Sequence, residues 1–307
     1  MEDRRFRTGI SVVATVVTLV VVSAEGAEKI QYRLKFEKGQ SYYVRVISDS
    51  NTVQEMTGQE SVTEVTAGFG YHFDVKEVDE KGNAWVNCTF DWIKFRQKTP
   101  KFNVVYDSSK KPSRVPSGAQ AAAVFLGESF SVKMTPQGHV EELKGLEKLR
   151  ENMGKKLPGG FMKQQMLQSS EQHLADSIKE LYLSPMAVYP NSPVGIGDSW
   201  SRTDSFKTQP FVSENKWTLK DRKAGIAIIE ASSAIKSRPE PLGQDVAKMK
   251  FEMSGKRAGQ IEMKESTGQI IRSEMTKDLS GQAQAGTMAI FMRTHTVTTF
   301  EMAERKK

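Results

Sequence analysis

The stretch FGYHFDVKEVDEKGNAWVNCTFDWI, residues 69–93, decides the fold class. From Phe69 to Val75 an aromatic or aliphatic side chain occupies every second position, which is the period of a strand with one buried face. Asp79-Glu80-Lys81-Gly82 follows and predicts a tight turn, because glycine adopts the positive φ that such reversals require. The alternation resumes over 84–93, so the stretch predicts two long antiparallel strands joined in a hairpin.

The same period recurs in both halves of the chain and predicts further strands. One covers Ile30 to Phe36, turns at Glu37-Lys38-Gly39-Gln40 and returns over 42–48 as a hairpin. The other strand segments are 102–106, 130–134, 217–219, 226–229, 249–253, 261–263, 271–275 and 288–300. Strands of this length that meet at hairpins predict one large, curved antiparallel sheet.

A helical segment, residues 144–184, separates the two sets of strands. Its apolar residues recur at helical spacing, and Leu174, Ile178 and Leu181 line one side of its last helix. The motif Ser169-x-x-Gln172 is a candidate capping box for that helix. We therefore predict an α+β fold in which a central helical segment covers one face of the sheet. Its order is strands over 28–142, helices over 144–184 and strands over 198–302.

The N-terminus predicts export. Residues 1–24 contain three early arginines, an apolar run from Ile10 to Val22 and the small residues Val22-Ser23-Ala24 that a signal peptidase requires. Cleavage after Ala24 would leave residues 25–307 as a single exported domain, periplasmic or extracellular, with no transmembrane span. The alternative is an uncleaved anchor, but as a helix the run reaches only about 20 Å across a hydrocarbon core of about 30 Å.

Composition narrows the class of protein. The chain has 307 residues, a formal charge of +7, 38% apolar residues and 26% charged residues, which excludes a multi-span membrane protein and a disordered chain. The single cysteine, Cys88, excludes internal disulfides and multi-cysteine metal sites, and its apolar neighbours predict a buried core position. The basic residues are scattered, so nothing indicates a nucleic-acid interface.

The chain lacks the motifs of the common catalytic and cofactor sites. Its four histidines, at positions 72, 139, 173 and 295, are far apart and have no metal-ligand spacing. No GxSxG or phosphate-binding glycine motif occurs, and Gly195-Ile196-Gly197 lacks the third glycine of a dinucleotide site. We therefore predict no catalytic, cofactor-binding or metal-binding residue and no enzymatic activity. A pair of carboxylates facing each other across the sheet remains an alternative.

Three local patterns carry a family resemblance. They are Tyr32-x-Leu34-Lys35-Phe36-x-Lys38-Gly39-Gln40-x-Tyr42, Met134-x-Pro136-x-Gly138-x-Val140 and Gly197-Asp198-Ser199-Trp200. Together they resemble an uncharacterised family of bacterial secreted proteins, a domain of unknown function common in planctomycete-type genomes. The family has no established activity, so the resemblance implies no site residues. Its layout is similar to the half-open, helix-covered sheet of periplasmic lipoprotein carriers, which implies a half-barrel-like sheet here.

Methionine is concentrated near the C-terminus, where half of the 14 methionines lie between Met249 and Met302. Flexible, polarisable side chains suit a surface that accepts varied apolar partners, although core filling is the ordinary use. The candidate ligand-lining residues are Leu174, Ile178, Leu181, Met249, Phe251, Met253, Met263, Met275 and Trp200. For Trp200 the alternative is a structural position at the start of a strand.

These patterns lead to one preferred function and two rivals. We predict a non-enzymatic exported protein that binds a lipid or another apolar or amphiphilic ligand between sheet and helices. The first rival is a structural or protein-interaction module of the cell envelope with no pocket. The second is a hydrolase that uses paired carboxylates.

Overall fold

The computed structural model describes residues 28–168, 170–180, 186, 188–205, 208–238, 249–285 and 288–305. The strands are β1 Ser41–Met56, β2 Gln59–Val78, β3 Ala84–Lys98, β4 Asn103–Asp107, β5 Ser129–Met134, β6 Val140–Lys144, β7 Ser199–Ser205, β8 Phe211–Lys223, β9 Ile226–Ser237, β10 Met249–Lys264, β11 Ile270–Ala285 and β12 Met288–Glu304. The α-helices are α1 Gln120–Ala123, α2 Leu146–Lys156, α3 Phe161–Gln168 and α4 Glu171–Ile178. Two 3₁₀ turns cover Ser108–Lys110 and Ser117–Ala119.

All twelve strands form one antiparallel sheet. Its hydrogen-bonded order is β6-β5-β3-β2-β1-β12-β11-β10-β9-β8-β7, with β4 added to β3, so the sheet has two edges and is not closed. The predicted hairpin at 79–82 is confirmed by the pairing of β2 with β3. Three further hairpins have their turns at 135–138, 221–225 and 266–268. The α+β prediction holds only in part, because the described helices are short and most of the fold is sheet.

The N-terminal segment 28–36 is not the strand that its alternation predicts. Outside one isolated bridge from Ile30 to Val194 it belongs to no ladder, and β1 pairs with β2 and β12 instead. Tyr32, Leu34 and Phe36 are nevertheless buried in the main core. The alternation therefore shows that successive side chains face the core and the solvent in turn. Any extended segment can show this pattern, whether or not it pairs in a sheet. We call residues 28–36 the strap.

The strap shows that the sheet is strongly curved. The Leu34 amide donates to Pro136 O at 2.7 Å, and the next amide, that of Lys35, donates to Thr267 O at 2.8 Å. Those two oxygens thus lie within about 9 Å of each other. They belong to the turns after β5 and β10, and five strand spacings separate β5 from β11, which is about 24 Å in a flat sheet. The sheet must curl around its inner face to bring them together.

Helices α2, α3 and α4 lie in the connection between the two sheet edges, β6 and β7, whereas α1 lies between β4 and β5. Leu149 and Met153 of α2 and Leu174 and Ile178 of α4 are buried in the same core as the inner face of the sheet. The cap of α4 is Ser170, whose hydroxyl accepts from the His173 amide at 3.1 Å, one residue later than the predicted capping box. The predicted helical covering is therefore supported only in part, by the apolar residues that α2 and α4 contribute to the main core.

Several predictions concern positions outside the described residues. The signal peptide over 1–24, the predicted cap Ser169 and the candidate residue Leu181 are among them. Cys88 is described, and its predicted burial is confirmed at 0% exposure.

The strap generates a stability prediction. Leu34→Ala should lower the free energy of unfolding by about 2–4 kcal/mol, because it leaves a cavity where strap and sheet meet. Lys35→Ala is the matched control, since that side chain is exposed and its backbone bond to Thr267 survives; it should stay within about 0.5 kcal/mol of wild type. Chemical denaturation measures both, and equal effects would show that the strap is not packed as described.

Candidate functional site: a cationic cavity on the inner face of the sheet

A row of polar side chains crosses the inner face of seven adjacent strands. Cross-strand pairing puts one residue from each strand at the same level of the sheet. In order from β7 to β1 they are Arg202, Asn215, Ser233, Arg257, Lys277, Thr296 and Ser50. We call these seven residues the polar row. It separates the main apolar core, on the strap side, from a smaller apolar cluster centred on Ile235, Met253 and Leu279.

A cavity of about 180 Å³ opens between the polar row and the main core. Its apolar lining is Val46, Val188, Trp217, Ile261, Met275 and Phe300. Its polar lining is Arg202, Asp204, Ser213, Arg257, Ser273, Lys277 and Thr298. Apolar cavities of about 150 Å³ hold a molecule the size of benzene, so this one has room for a small group or for part of a larger ligand.

Arg257 is held in place by neutral partners. Its Nη2 donates to Asn215 Oδ1 at 2.9 Å, and its Nε and Nη2 lie 3.4 and 3.3 Å from Ser233 Oγ. The Ser233 hydroxyl in turn donates to Asn215 Oδ1 at 2.6 Å. Asn215 and Ser233 are themselves buried. The guanidinium therefore has a fixed orientation, while its positive charge is not neutralised by either of these groups.

Lys277 lies directly opposite Arg257 across the β10–β11 pair. Within the described ranges no carboxylate comes within salt-bridge distance of it. Burial, and then the positive charge of Arg257, lower the pKa of Lys277 below its usual value. Burial likewise lowers the pKa of Arg257. Two like charges opposite each other on antiparallel strands repel, so this pair destabilises the empty site.

The third cation of the cavity is already neutralised. Arg202 Nε lies 2.7 Å from Asp204 Oδ1, and its Nη2 lies 3.0 Å from Asp204 Oδ2. Asp204 also accepts from Asn215 Nδ2 at 2.8 Å. Three cations and this one carboxylate among the described lining residues leave a net charge of +2 on the cavity. Asp204 also attracts Arg257, whereas no carboxylate of the described chain acts on Lys277, so the excess is greatest at Lys277.

Met275 makes the floor of the cavity adjustable. It is paired with Gly259, and a Cβ at Gly259 would meet Met275 Sδ at 2.7 Å and Glu274 O at 2.0 Å. The methionine side chain thus lies over the space that this glycine leaves free. An unbranched thioether repacks at low cost, so the floor can adapt to an occupant.

The structure separates the predicted ligand-lining residues instead of bringing them together. Of the predicted residues that the structure describes, only Met275 lines the cavity, while Leu174, Ile178 and Met263 are buried in the main core. Met253 and Phe251 belong to the smaller apolar cluster beyond the polar row. Met249 begins β10. The cavity also lies beside Val188 and not beneath α2 or α4, whose described apolar faces are packed into the core.

Trp200 lies beside the cavity wall, as the cross-strand partner of Trp217. Its ring stacks on Trp217 with centroids 6.3 Å apart and planes inclined by 21°, and its Nε1 donates to Val188 O at 2.8 Å. Trp217 and Val188 both line the cavity. The indole itself packs against the main core, as the structural alternative for this residue predicts.

Sequence reasoning missed Arg257 and Lys277, although a signal for Arg257 was available. Along β10 the inner face carries Met253, Gly255, Arg257, Gly259 and Ile261, so a charge interrupts an otherwise apolar or glycine stripe. A charged residue in a stripe of this kind is expected only where it has a partner or a function. Lys277 carries the same signal, because it stands between Met275 and Leu279 on the inner face of β11, but its position opposite Arg257 depends on the strand register.

Two histidines of the described chain each lie close to a carboxylate. His72 Nε2 lies 2.6 Å from Asp91 Oδ2, and His295 Nδ1 lies 2.7 Å from Asp278 Oδ1. Within the described ranges no three His, Cys, Asp or Glu side chains come together as a metal-ligand set. Every helix in those ranges is too short or too polar to span a bilayer.

A family model described as a family of unknown function (DUF6263) matches residues 81–270, more than half of the chain. The protein belongs to this family. The sequence-based expectation of an uncharacterised family is thereby supported, whereas secretion and a planctomycete-type origin remain predictions. A search of curated proteins finds no match.

A comparison with solved structures finds matches at low TM-scores. A structure entitled "Lipid-protein interactions in lipovitellin" has a TM-score of 0.49 and 6% identity, covering 89% of this chain and 26% of that one. Pseudomonas aeruginosa OccK7 (OpdD) has a TM-score of 0.23 and 7% identity, covering 87% and 100%. The translocator domain of autotransporter NalP from Neisseria meningitidis has a TM-score of 0.20 and 7% identity, covering 87% and 90%. Likenesses below a TM-score of 0.5 establish no function, and this chain spans about a quarter of the lipovitellin chain.

The repulsion across β10 and β11 generates a stability prediction. Lys277→Met should raise the free energy of unfolding at pH 7 by up to about 1 kcal/mol, because it removes a partly buried charge that faces another cation. The matched control is Lys256→Met, an exposed residue beside Arg257 on the outer face of β10, which should change stability by less than about 0.5 kcal/mol. A loss of more than 1 kcal/mol in Lys277→Met would show that the ammonium is stabilised.

The same repulsion fixes a pH dependence. The folded-state pKa of Lys277 is lowered, so the unfolded chain binds more protons once the pH rises through that pKa toward about 10. The destabilisation is complete below the folded-state pKa and is relieved as the pH rises through it. Denaturant titrations at pH 7, 8.5 and 9.5 should therefore show the wild type gaining stability relative to Lys277→Met. A constant difference over that range would contradict the lowered pKa.

Proposed function

We propose that this protein is an exported, non-enzymatic binding protein for an apolar or amphiphilic ligand, which it holds in the cavity between the polar row and the main core. The observation that carries the proposal is the two-sided lining of this cavity. One wall is apolar side chains and the other is charged and hydroxyl-bearing groups. A site with both characters suits a molecule with a hydrocarbon part and a polar part.

The apolar wall accounts for affinity. Trp217, Ile261 and Phe300 offer rigid hydrocarbon surface, and Met275 adjusts to the shape of the occupant. Each methylene group that leaves water for such a wall contributes about 0.8 kcal/mol. Three or four methylenes therefore supply about 3 kcal/mol, and a longer chain must extend past the polar row toward the smaller apolar cluster.

The carboxylate content of the cavity favours binding over catalysis as the role of this site. The cavity has a single carboxylate among its described lining residues, Asp204, which is engaged by Arg202 and Asn215. An acid–base pair would need a second carboxylate within about 5–10 Å of it in the same cleft.

The export step of the proposal is supported by the signal-peptide pattern of residues 1–24.

A cavity-filling variant tests the proposal. Ser273 lines the cavity between Ile261 and Phe300. Ser273→Leu should displace about three methylene groups of a bound ligand, which corresponds to a loss of about 2 kcal/mol, or about 30-fold in affinity. The measurement is fluorescence titration with the uncharged hydrophobic dye N-phenyl-1-naphthylamine, together with native mass spectrometry of the purified protein for bound amphiphiles.

Ser280→Leu is the matched control, because Ser280 is exposed on the same strand, β11, and lies outside the cavity. It should bind the dye as the wild type does. If the wild type binds no dye and carries no amphiphile, or if the two variants bind equally well, the proposed function is wrong.

A further inference from the structure

We infer that Arg257 and Lys277 form an anion-binding site for the head group of the ligand, so that the protein selects amphiphiles with a small acid group, a carboxylate or a phosphate monoester, over uncharged ones. This inference rests on the proposed function and specifies the ligand class of the same cavity. It depends on the placement of two cations, Arg257 and Lys277, for which no salt bridge to a carboxylate is found among the described residues.

The first step of the argument is the geometry of the pair. Arg257 and Lys277 occupy directly opposed positions on β10 and β11, and both line the cavity. Their cationic groups therefore approach the same space from adjacent strands. An anion placed there accepts hydrogen bonds from a guanidinium and an ammonium at once, which is the strong, charge-assisted kind of contact.

The second step is preorganisation. Asn215 and Ser233 fix the Arg257 guanidinium through neutral oxygen atoms, which orient it without neutralising its charge. Asn215 in turn is tied to Asp204, which is the carboxylate that neutralises Arg202. A group that is already oriented loses little side-chain entropy when it binds an anion. The polar row thus holds Arg257 in an orientation that suits an anion, while the charge of Arg202 is neutralised by Asp204.

The third step is charge balance. Repulsion between Arg257 and Lys277 makes the empty site unfavourable, and an anion that enters converts this repulsion into two attractions. A phosphate monoester dianion would balance the net charge of +2 on the cavity. A carboxylate would leave a net charge of +1. An uncharged head group would leave both cations without a counter-charge. An acid ligand is therefore favoured over a neutral one for two reasons. It is attracted to both cations, and it relieves the repulsion between Arg257 and Lys277.

The fourth step places the hydrocarbon part. Met275, paired with Gly259, lies one level below the pair on the core side, and Leu279, paired with Gly255, lies one level above it. Apolar surface thus borders the cations on both sides along the strands. A head group at the pair leaves its chain against one of these surfaces, so that a single ligand satisfies both walls of the cavity.

Competition against N-phenyl-1-naphthylamine tests the inference with four compounds: dodecanoate, dodecyl phosphate, 1-dodecanol and inorganic phosphate. In the wild type the two acids should displace the dye at concentrations about tenfold or more below that of 1-dodecanol, which is the factor expected for a charge-assisted contact. Inorganic phosphate alone should displace it poorly, because it lacks the hydrocarbon part. A better result with dodecyl phosphate than with dodecanoate would identify the phosphate monoester as the preferred head group.

Variants that remove one positive charge test whether the preference for acids depends on Arg257 and Lys277. Lys277→Gln and Arg257→Gln should bring the affinity for both acids down to that for 1-dodecanol and leave 1-dodecanol itself within about twofold of wild type. Lys277→Arg, which keeps the charge, should retain most of the preference. Lys256→Gln, on the outer face of β10, is the matched control and should behave as the wild type does. Circular dichroism and thermal melting confirm that each variant is folded.

The outcomes separate the two proposals. If the dye and all four compounds fail to bind, the proposed function is wrong and the inference falls with it. If acids and alcohol bind equally well, or if Lys277→Gln and Arg257→Gln leave the preference for acids intact, ligand binding stands and the assignment of the head-group site to this pair is overturned.

Discussion

Two successive backbone amides of the strap, those of Leu34 and Lys35, bind turns that a flat sheet would hold more than 20 Å apart. The remainder of the architecture depends on this constraint. It bends the sheet around an inner face, and that face gathers residues of distant strands into one apolar core. Without the bend, the sheet would expose that apolar face to water, and the helices between β6 and β7 could not pack against both halves.

Curvature also gives the polar row its properties. In a flat sheet Arg257 and Lys277 would be solvated side chains and their repulsion would be weak, because water screens it. On the inner face they are partly withdrawn from water, between the main core and the smaller apolar cluster. The same burial that makes their charges costly makes an incoming anion effective, since electrostatic attraction strengthens as the surroundings become less polar.

Local patterns predicted much of the fold. Alternation and turn chemistry identified the long strands and hairpins such as β2–β3, and helical spacing found α2 and α4, because these signals depend on neighbours a few residues apart. The strap was assigned wrongly, since Tyr32, Leu34 and Phe36 alternate as a sheet strand does while pairing only through one bridge. Alternation records which side chains are buried, and burial does not reveal which backbone groups bond to each other.

The sequence by itself determined the strand class, the positions of most turns, the helical segment and the buried state of Cys88. The tertiary structure alone decided which residues form the site. Met253, Met263 and Met275 look equivalent along the chain, yet they lie in three different environments. Arg257 and Lys277 are 20 positions apart, and only the register of β10 against β11 brings them face to face. Register follows from the whole set of cross-strand contacts, so no short stretch of sequence contains it.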